Sequence, residues 1–284
     1  KELIQIIAKD IDRQFLEDIH TLTLSPEADR KHHDMKIVYT PIHGTGSRLI
    51  FDSLRMWGFD NIIHVPEQDV QSGDFPTVVS PNPENPEAMT MGIAKAREVG
   101  ASIVLASDPD ADRVGVVVRD KKGNYQLLNG NQICSILIYY IITRNAELGR
   151  LDGNEYCVKT IVTTETIKRI ANANNVTCFD CYTGFKWIAD VMRDMEGKMR
   201  YLGGGEESYG FLAETFVRDK DSVSAISLMC EVAAWAAEQG LDLYELIIDL
   251  YDKYGFSRER GVSVTRPGKS GADEIVAMMK GFRA

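Results

Sequence analysis

Short β-branched runs alternate with stretches of helical periodicity along almost the whole chain, and that rhythm restricts the fold to the α/β class. Leu3, Ile6, Ile7, Ile11, Phe15 and Ile19 mark an opening amphipathic helix. Residues 36–40 read as a strand entering the loop 41–46, with Ser47 placed to cap a helix that runs through Trp57. Residues 62–65 form the next strand, and the proline-rich stretch 73–87 reads as a long ordered loop. A helix over 87–99, the strand 103–105 and a valine-rich strand over 113–119 complete a first domain, expected to end at the polar turn 121–124. The alternation then restarts: helix 131–144, strand 156–159, helix 164–172, strand 176–179, a turn at 182–186, another helix, strand 199–202 and a glycine-rich loop at 203–210. Helices over 222–238 and 241–254, a strand around 262–265, and a turn with one short helix from Pro267 follow. At 284 residues, with 44% apolar and 26% charged residues, the chain has the length and composition for two domains with two cores.

The strand at Ile103-Val104-Leu105 runs into Asp108-Pro109-Asp110-Ala111-Asp112-Arg113. Alternate positions at the end of a strand aim at one point, and three carboxylates converging there repel each other unless a hard divalent cation neutralises them. A calcium loop of the helix-loop-helix type needs Gly at its sixth position and Glu at its twelfth, counted from Asp108; those places hold Arg113 and Arg119. An arginine beside a carboxylate-bound cation points instead to a site where phosphate meets metal.

The net charge of −10 argues against a nucleic-acid partner, which needs clustered Lys and Arg, and requires any anionic ligand to meet a local positive patch. Five cysteines in no regular framework indicate reduced thiols and a cytoplasmic location. Cys178 and Cys181 have redox or half-zinc spacing, but no second pair or histidine cluster accompanies them. No apolar run approaches the ~20 residues that span a bilayer, and no signal-like segment opens the sequence, so no membrane association is expected. The first residue is Lys1, which suggests an excised piece of a longer chain.

Three loops of the second half carry ligand-type groups. Gly203, Gly204 and Gly205 would let backbone approach a ligand, with Glu206 and Ser208 facing one pocket to bind hydroxyls. Arg218-Asp219-Lys220-Asp221 ends at a helix start, where the macrodipole adds positive potential. Thr183, Gly184 and Lys186 form the third group. Each has a plain alternative reading: surface turn, charged helix cap, solvated lysine.

Together these segments resemble the α-D-phosphohexomutases, the phosphoglucomutase and phosphomannomutase superfamily. Residues 108–113 are similar to the family's magnesium loop, 205–209 to its sugar-binding loop, and 183–186 to the loop that helps distinguish substrate orientations. Residues 40–44, 75–84 and 218–221 also resemble family segments, in the family's order. The resemblance implies two tandem α/β domains, each a mixed sheet packed between helices: domain two over 1–122, domain three over 123–266, and at 267–284 a linker with the start of a fourth. It also implies a phosphosugar mutase that interconverts glucose 1-phosphate and glucose 6-phosphate, or mannose phosphates, through a phosphoserine and a hexose 1,6-bisphosphate. Neither the family's Ser-His-Asn catalytic loop nor its Arg-x-Ser-Gly-Thr phosphate loop occurs here. A catalytic N-terminal domain and a C-terminal phosphate-binding domain are therefore the expected partners, and the chain alone is expected to be inactive.

By this resemblance Asp108, Asp110 and Asp112 hold Mg²⁺, Arg113 neutralises developing charge, and Lys220 gives electrostatic or acid/base help. Glu206 and Ser208 bind sugar hydroxyls, Thr183 and Gly184 contribute to substrate binding, and Lys186 and Arg218 attract the anion. His43 either borders the site or is a structural turn residue. The alternatives are a Mg-dependent phosphatase with an aspartate nucleophile and a non-catalytic sugar-phosphate-binding fragment.

Overall fold

The computed structural model describes residues 9–262 and 264–284. Its first half comprises α1 (Lys9–His20), α2 (Pro26–Lys31), β1 (Ile37–Thr40), α3 (Ile50–Met56), β2 (Ile62–His64), α4 (Pro66–Asp69), α5 (Thr90–Val99), β3 (Ile103–Ser107), β4 (Val114–Arg119) and β5 (Tyr125–Leu127). These strands form one sheet in the order β2-β1-β3-β4-β5, parallel among β2, β1 and β3 and antiparallel at β4 and β5. The second half comprises α6 (Gly130–Glu147), β6 (Glu155–Thr160), α7 (Thr166–Ala173), β7 (Thr177–Cys181), α8 (Phe185–Met195), β8 (Arg200–Gly205), β9 (Phe211–Leu212), α9 (Ser222–Glu238), α10 (Leu243–Tyr254) and α11 (Gly268–Arg283). Its sheet runs β7-β6-β8-β9, parallel except for β9. Both sheets are mixed and lie among helices, as expected.

The expectation of two separate cores is corrected. Tyr39, Leu105 and Val116 of the first sheet, Ile138 and Ile142 of α6, Ile226 and Val232 of α9, and Cys157 and Leu202 of the second sheet share one apolar cluster. The cause is α9, whose apolar residues run almost all the way round, so that it buries surface against α2 and α3 as well as α6. Two smaller clusters cover the outer faces, one with Val38, Val104 and Ala96, the other with Tyr156, Ile188 and Met192.

Other boundaries move for local reasons. Leu3, Ile6 and Ile7 lie outside the described residues. Ser47 sits inside a 3₁₀ turn, Thr45–Arg48, and its hydroxyl donates to the Gly44 carbonyl instead of capping a helix. Residues 121–124 are the turn of the β4–β5 hairpin, and β5 adds an edge strand to the first sheet. α6 begins afterwards, at a capping box of Asn129 and Gln132. Residues 203–205 are strand, not loop: a Cβ on Gly204 would fall 2.8 Å from the Val158 carbonyl, and one on Gly205 2.7 Å from Cys134 Sγ. These glycines admit neighbouring strand and helix, not a ligand. Val262 and Val264 are exposed and pair with no strand. Among the described residues, no helix is long and apolar enough to cross a membrane.

The topology gathers five loops. Those after β1, β3, β6, β7 and β8 all leave the carboxyl ends of parallel strands, where ligands collect in open α/β sheets.

Candidate active site

The loop after β3 brings the three aspartates together. One carboxylate oxygen from each of Asp108, Asp110 and Asp112 lies within 4.8 Å of the other two, with Asp108 buried and Asp110 exposed. Asp108 Oδ1 accepts from the backbone N–H groups of Asp112 at 3.1 Å and Arg113 at 3.0 Å. Ala111, at φ 59°, makes the reversal that closes the loop. Burial, then the charges of Asp112 and Asp110, push the Asp108 carboxyl up to about 7 against the lowering effect of its hydrogen bonds. Three carboxylates in this condition form an all-oxygen donor set suited to a hard divalent cation. Arg113 donates to Glu84 at 3.0 Å and stands 3.6 Å from Asp108 and 3.8 Å from Asp112. A cavity of about 680 Å³ opens beside the loop, lined in part by Asp110, Ala111, Thr45, Phe15 and Asp221.

Beyond β8 the chain turns back through Tyr209 at φ 71°. Glu206 is buried, with Oε1 accepting the Gly184 N–H at 2.8 Å, so the loops after β7 and β8 meet. Burial raises its carboxyl from its ordinary value, against the lowering effect of the Gly184 hydrogen bond. Ser208, half-buried, lies in this turn, not on a strand face, so the simple alternation expected of the pair does not hold. Thr183 is exposed, and Lys186 stands 5.4 Å from the Trp187 ring centroid at the start of α8.

The two halves of the site are bonded to each other. Val114 N–H donates to the Tyr209 carbonyl at 3.0 Å, and Ser222 gives both its N–H, at 3.0 Å, and its hydroxyl, at 2.8 Å, to the Ala111 carbonyl. Lys220 Nζ reaches Asp112 Oδ2 at 2.7 Å. Asp221 caps α9 through Val223 N–H. Arg218, by contrast, is exposed and pairs with Glu196 at 2.9 Å.

Models for the phosphoglucomutase/phosphomannomutase α/β/α domains II and III match residues 13–123 and 129–254. The chain belongs to the phosphoglucomutase/phosphomannomutase family. It is 32% identical over 282 residues to the phosphoglucomutase of Staphylococcus saprophyticus, a match covering 99% of this chain and 50% of that one. It therefore spans about half the length of the curated relatives it matches. A phosphoglucomutase/phosphomannomutase family protein from Burkholderia thailandensis has the same fold, with a TM-score of 0.66 at 21% identity over 84% of this chain and 46% of that one. So does an Aspergillus fumigatus N-acetylphosphoglucosamine mutase solved with GlcNAc-6P and magnesium, with a TM-score of 0.55 at 14% identity over 82% of this chain and 53% of that one.

In this member of the phosphoglucomutase/phosphomannomutase family, several structural supports carried little sequence signal. Glu84 anchors Arg113 from within the proline-rich segment. Glu207 accepts from the Thr160 and Thr163 hydroxyls at 3.1 and 3.0 Å, and Lys159, fully buried, bridges Glu165 and Asp180 at 2.8 Å each. The threonine pairs in residues 160–166 were the available cue. His43 is buried at φ 65°, its ring bonded to the Val70 carbonyl and the Thr77 hydroxyl, and so serves the structural role of the two considered.

Proposed function

We propose that this chain supplies the metal-binding and sugar-reading parts of a phosphosugar mutase that interconverts glucose 1-phosphate and glucose 6-phosphate. The observation that supports this reading is the direct bonding of the aspartate loop, with its three clustered carboxylates, to the turn that follows Glu206 through Val114 and Tyr209. Family membership displaces the aspartate-phosphatase alternative. The hydrogen bonds that hold Asp108 Oδ1 also suit a ligand better than a nucleophile.

On this reading Asp108, Asp110 and Asp112 hold Mg²⁺, which when bound polarises a phosphoryl oxygen. Arg113, fixed by Glu84, presents its guanidinium beside the phosphoryl group and stabilises charge that develops there. Glu206 keeps Oε1 on Gly184, which leaves Oε2 to accept sugar hydroxyls in either substrate orientation. We give Ser208 and Thr183 a part in substrate binding, and Lys186 that of adding positive potential. Lys220 stands between the two loops, placed to meet a phosphate or an attacked hydroxyl. We give Arg218 the lesser role of anion attraction, since Glu196 engages it.

We assign the phosphoryl donor, a phosphoserine, to a domain preceding residue 13 and the distal phosphate clamp to one following residue 266. The first domain here then ends near Leu127, and the second runs from α6 through α10. Mannose phosphates are the second substrate class to test. We place the reaction in the cytoplasm, which suits the five free cysteines.

The test is Mg²⁺ titration of this chain by calorimetry. Weak binding that disappears in Asp110→Asn supports the assignment, because three carboxylates alone would leave much of a magnesium ion's shell to water. Binding that survives Asp108→Ala refutes it.

A further inference from the structure

Lys220 occupies a donor that a metal would need. Its ammonium lies 2.7 Å from Asp112 Oδ2, and Asp112 is one of the three clustered carboxylates. The stem runs close along the Gly210 backbone: a Cβ there would fall 2.6 Å from Lys220 Cδ. The ammonium also stands 5.9 Å from the Phe185 ring centroid. Its remaining acidic contact, Asp219, is 3.8 Å away and largely exposed.

The carboxylates outnumber the cations here: Asp108, Asp110, Asp112 and Glu84 face Arg113 and Lys220, with Asp219 and Glu206 also acting on Lys220, so the loop keeps a negative excess that favours a divalent cation. A divalent ion and an ammonium on the same carboxylate repel each other strongly at such separations. One of the two side-chain cations must yield when the metal arrives. Arg113 is pinned at 3.0 Å by Glu84, outside the donor set, whereas Lys220 has only Asp112 at hydrogen-bond distance.

We infer that Lys220 is a tethered placeholder for the metal: its ammonium holds Asp112 until a divalent cation takes that oxygen, and the released lysine then turns toward the Glu206 loop, where a hexose phosphate would meet it. The inference rests on reading the aspartate loop as a magnesium site. It adds an order of events in which the cation that would attract substrate becomes available only once the metal is bound.

The experiment uses this chain with Mg²⁺ alone and two readouts, equilibrium titration and mass-spectrometric acylation of Lys220 by acetic anhydride. Lys220→Met, which keeps the stem and removes the charge, should bind Mg²⁺ about three- to tenfold more tightly. In the unaltered chain, acylation of Lys220 should rise several-fold at saturating Mg²⁺ while that of Lys186 and Lys168 stays constant. Asp112→Asn should leave Lys220 readily acylated with or without Mg²⁺. Lys220 acylation that is flat or falls with Mg²⁺ overturns the placeholder even if Lys220→Met binds more tightly, since tighter binding alone is a field effect. Mg²⁺ binding with flat acylation leaves the metal reading standing, whereas absence of Mg²⁺ binding in both the unaltered chain and Lys220→Met brings down the two together.

Discussion

The N–H of Val114, the first residue of β4, donates to the carbonyl of Tyr209, 3.0 Å away in the turn after β8. The aspartate loop and the turn after Glu206 are thereby joined through backbone, with Ser222 adding two bonds to Ala111. Ser222→Ala removes one of those bonds and should weaken Mg²⁺ binding about three- to tenfold, the equivalent of a typical hydrogen bond of roughly 1 kcal/mol. Titration calorimetry checks this, and unchanged affinity would show that the clamp has no bearing on the metal site.

Glu206→Gln preserves shape and removes charge-assisted bonds to sugar hydroxyls. In the full-length enzyme it should lower turnover in both directions by roughly ten- to a hundredfold, a loss of ~1.5–3 kcal/mol. Because Oε1 is bonded to Gly184 and not to the aspartates, the magnesium requirement should change little. Steady-state kinetics at varied Mg²⁺ separates the two effects; a defect confined to metal affinity would assign sugar recognition elsewhere, with Thr183 the next residue to vary.

Gly204→Ala should destabilise the chain by about 1–3 kcal/mol, since the new methyl meets the Val158 carbonyl and the Tyr201 hydroxyl, at 2.8 and 2.9 Å. Denaturant unfolding measures it. A variant with native stability would return these glycines to a ligand-facing role.

The aspartate loop was legible in the sequence because its chemistry is local: three carboxylates at alternate positions after an apolar strand need no distant partner to be read. Glu206 shows the opposite, since the contact that orients it comes from Gly184 in the loop after β7. The glycines before it were misread because their neighbours, Cys134 and Val158, are remote in sequence, and a glycine facing a packed strand looks the same as one facing a ligand. The shared core was hidden in α9, where apolar residues on every side fit either a single large core or a bridge between two sheets. Arg218 shows the converse limit, since its partner Glu196 lies at the end of α8 and a sequence motif cannot announce such a pairing.

Asp29 and Glu231 form a buried acidic pair between α2 and α9. Tyr140 and the N–H groups of Leu24 and Ser25 donate to Glu231, whereas both Asp29 oxygens are buried without a partner among the described residues. Burial and the neighbouring Glu231 raise the Asp29 carboxyl to about 9. The folded chain thus keeps a proton that the unfolded chain gives up near 3.8. Stability from this group is full below that value and declines as pH rises toward 9, by at most ~1.4 kcal/mol per pH unit. Asp29→Asn should flatten that decline and raise the melting midpoint at pH 8, as followed by thermal unfolding from pH 5 to 9. An unchanged pH slope would mean the carboxyl is ionised in the folded state.

The most direct measurement compares this chain with the full-length product of its gene in a coupled assay for glucose 6-phosphate formed from glucose 1-phosphate. The account predicts turnover by the full-length protein, loss of at least about a hundredfold in Asp110→Asn, and none by the 284-residue chain at any concentration. Turnover by the chain alone that Asp110→Asn abolishes, or a full-length enzyme indifferent to that substitution, would contradict it.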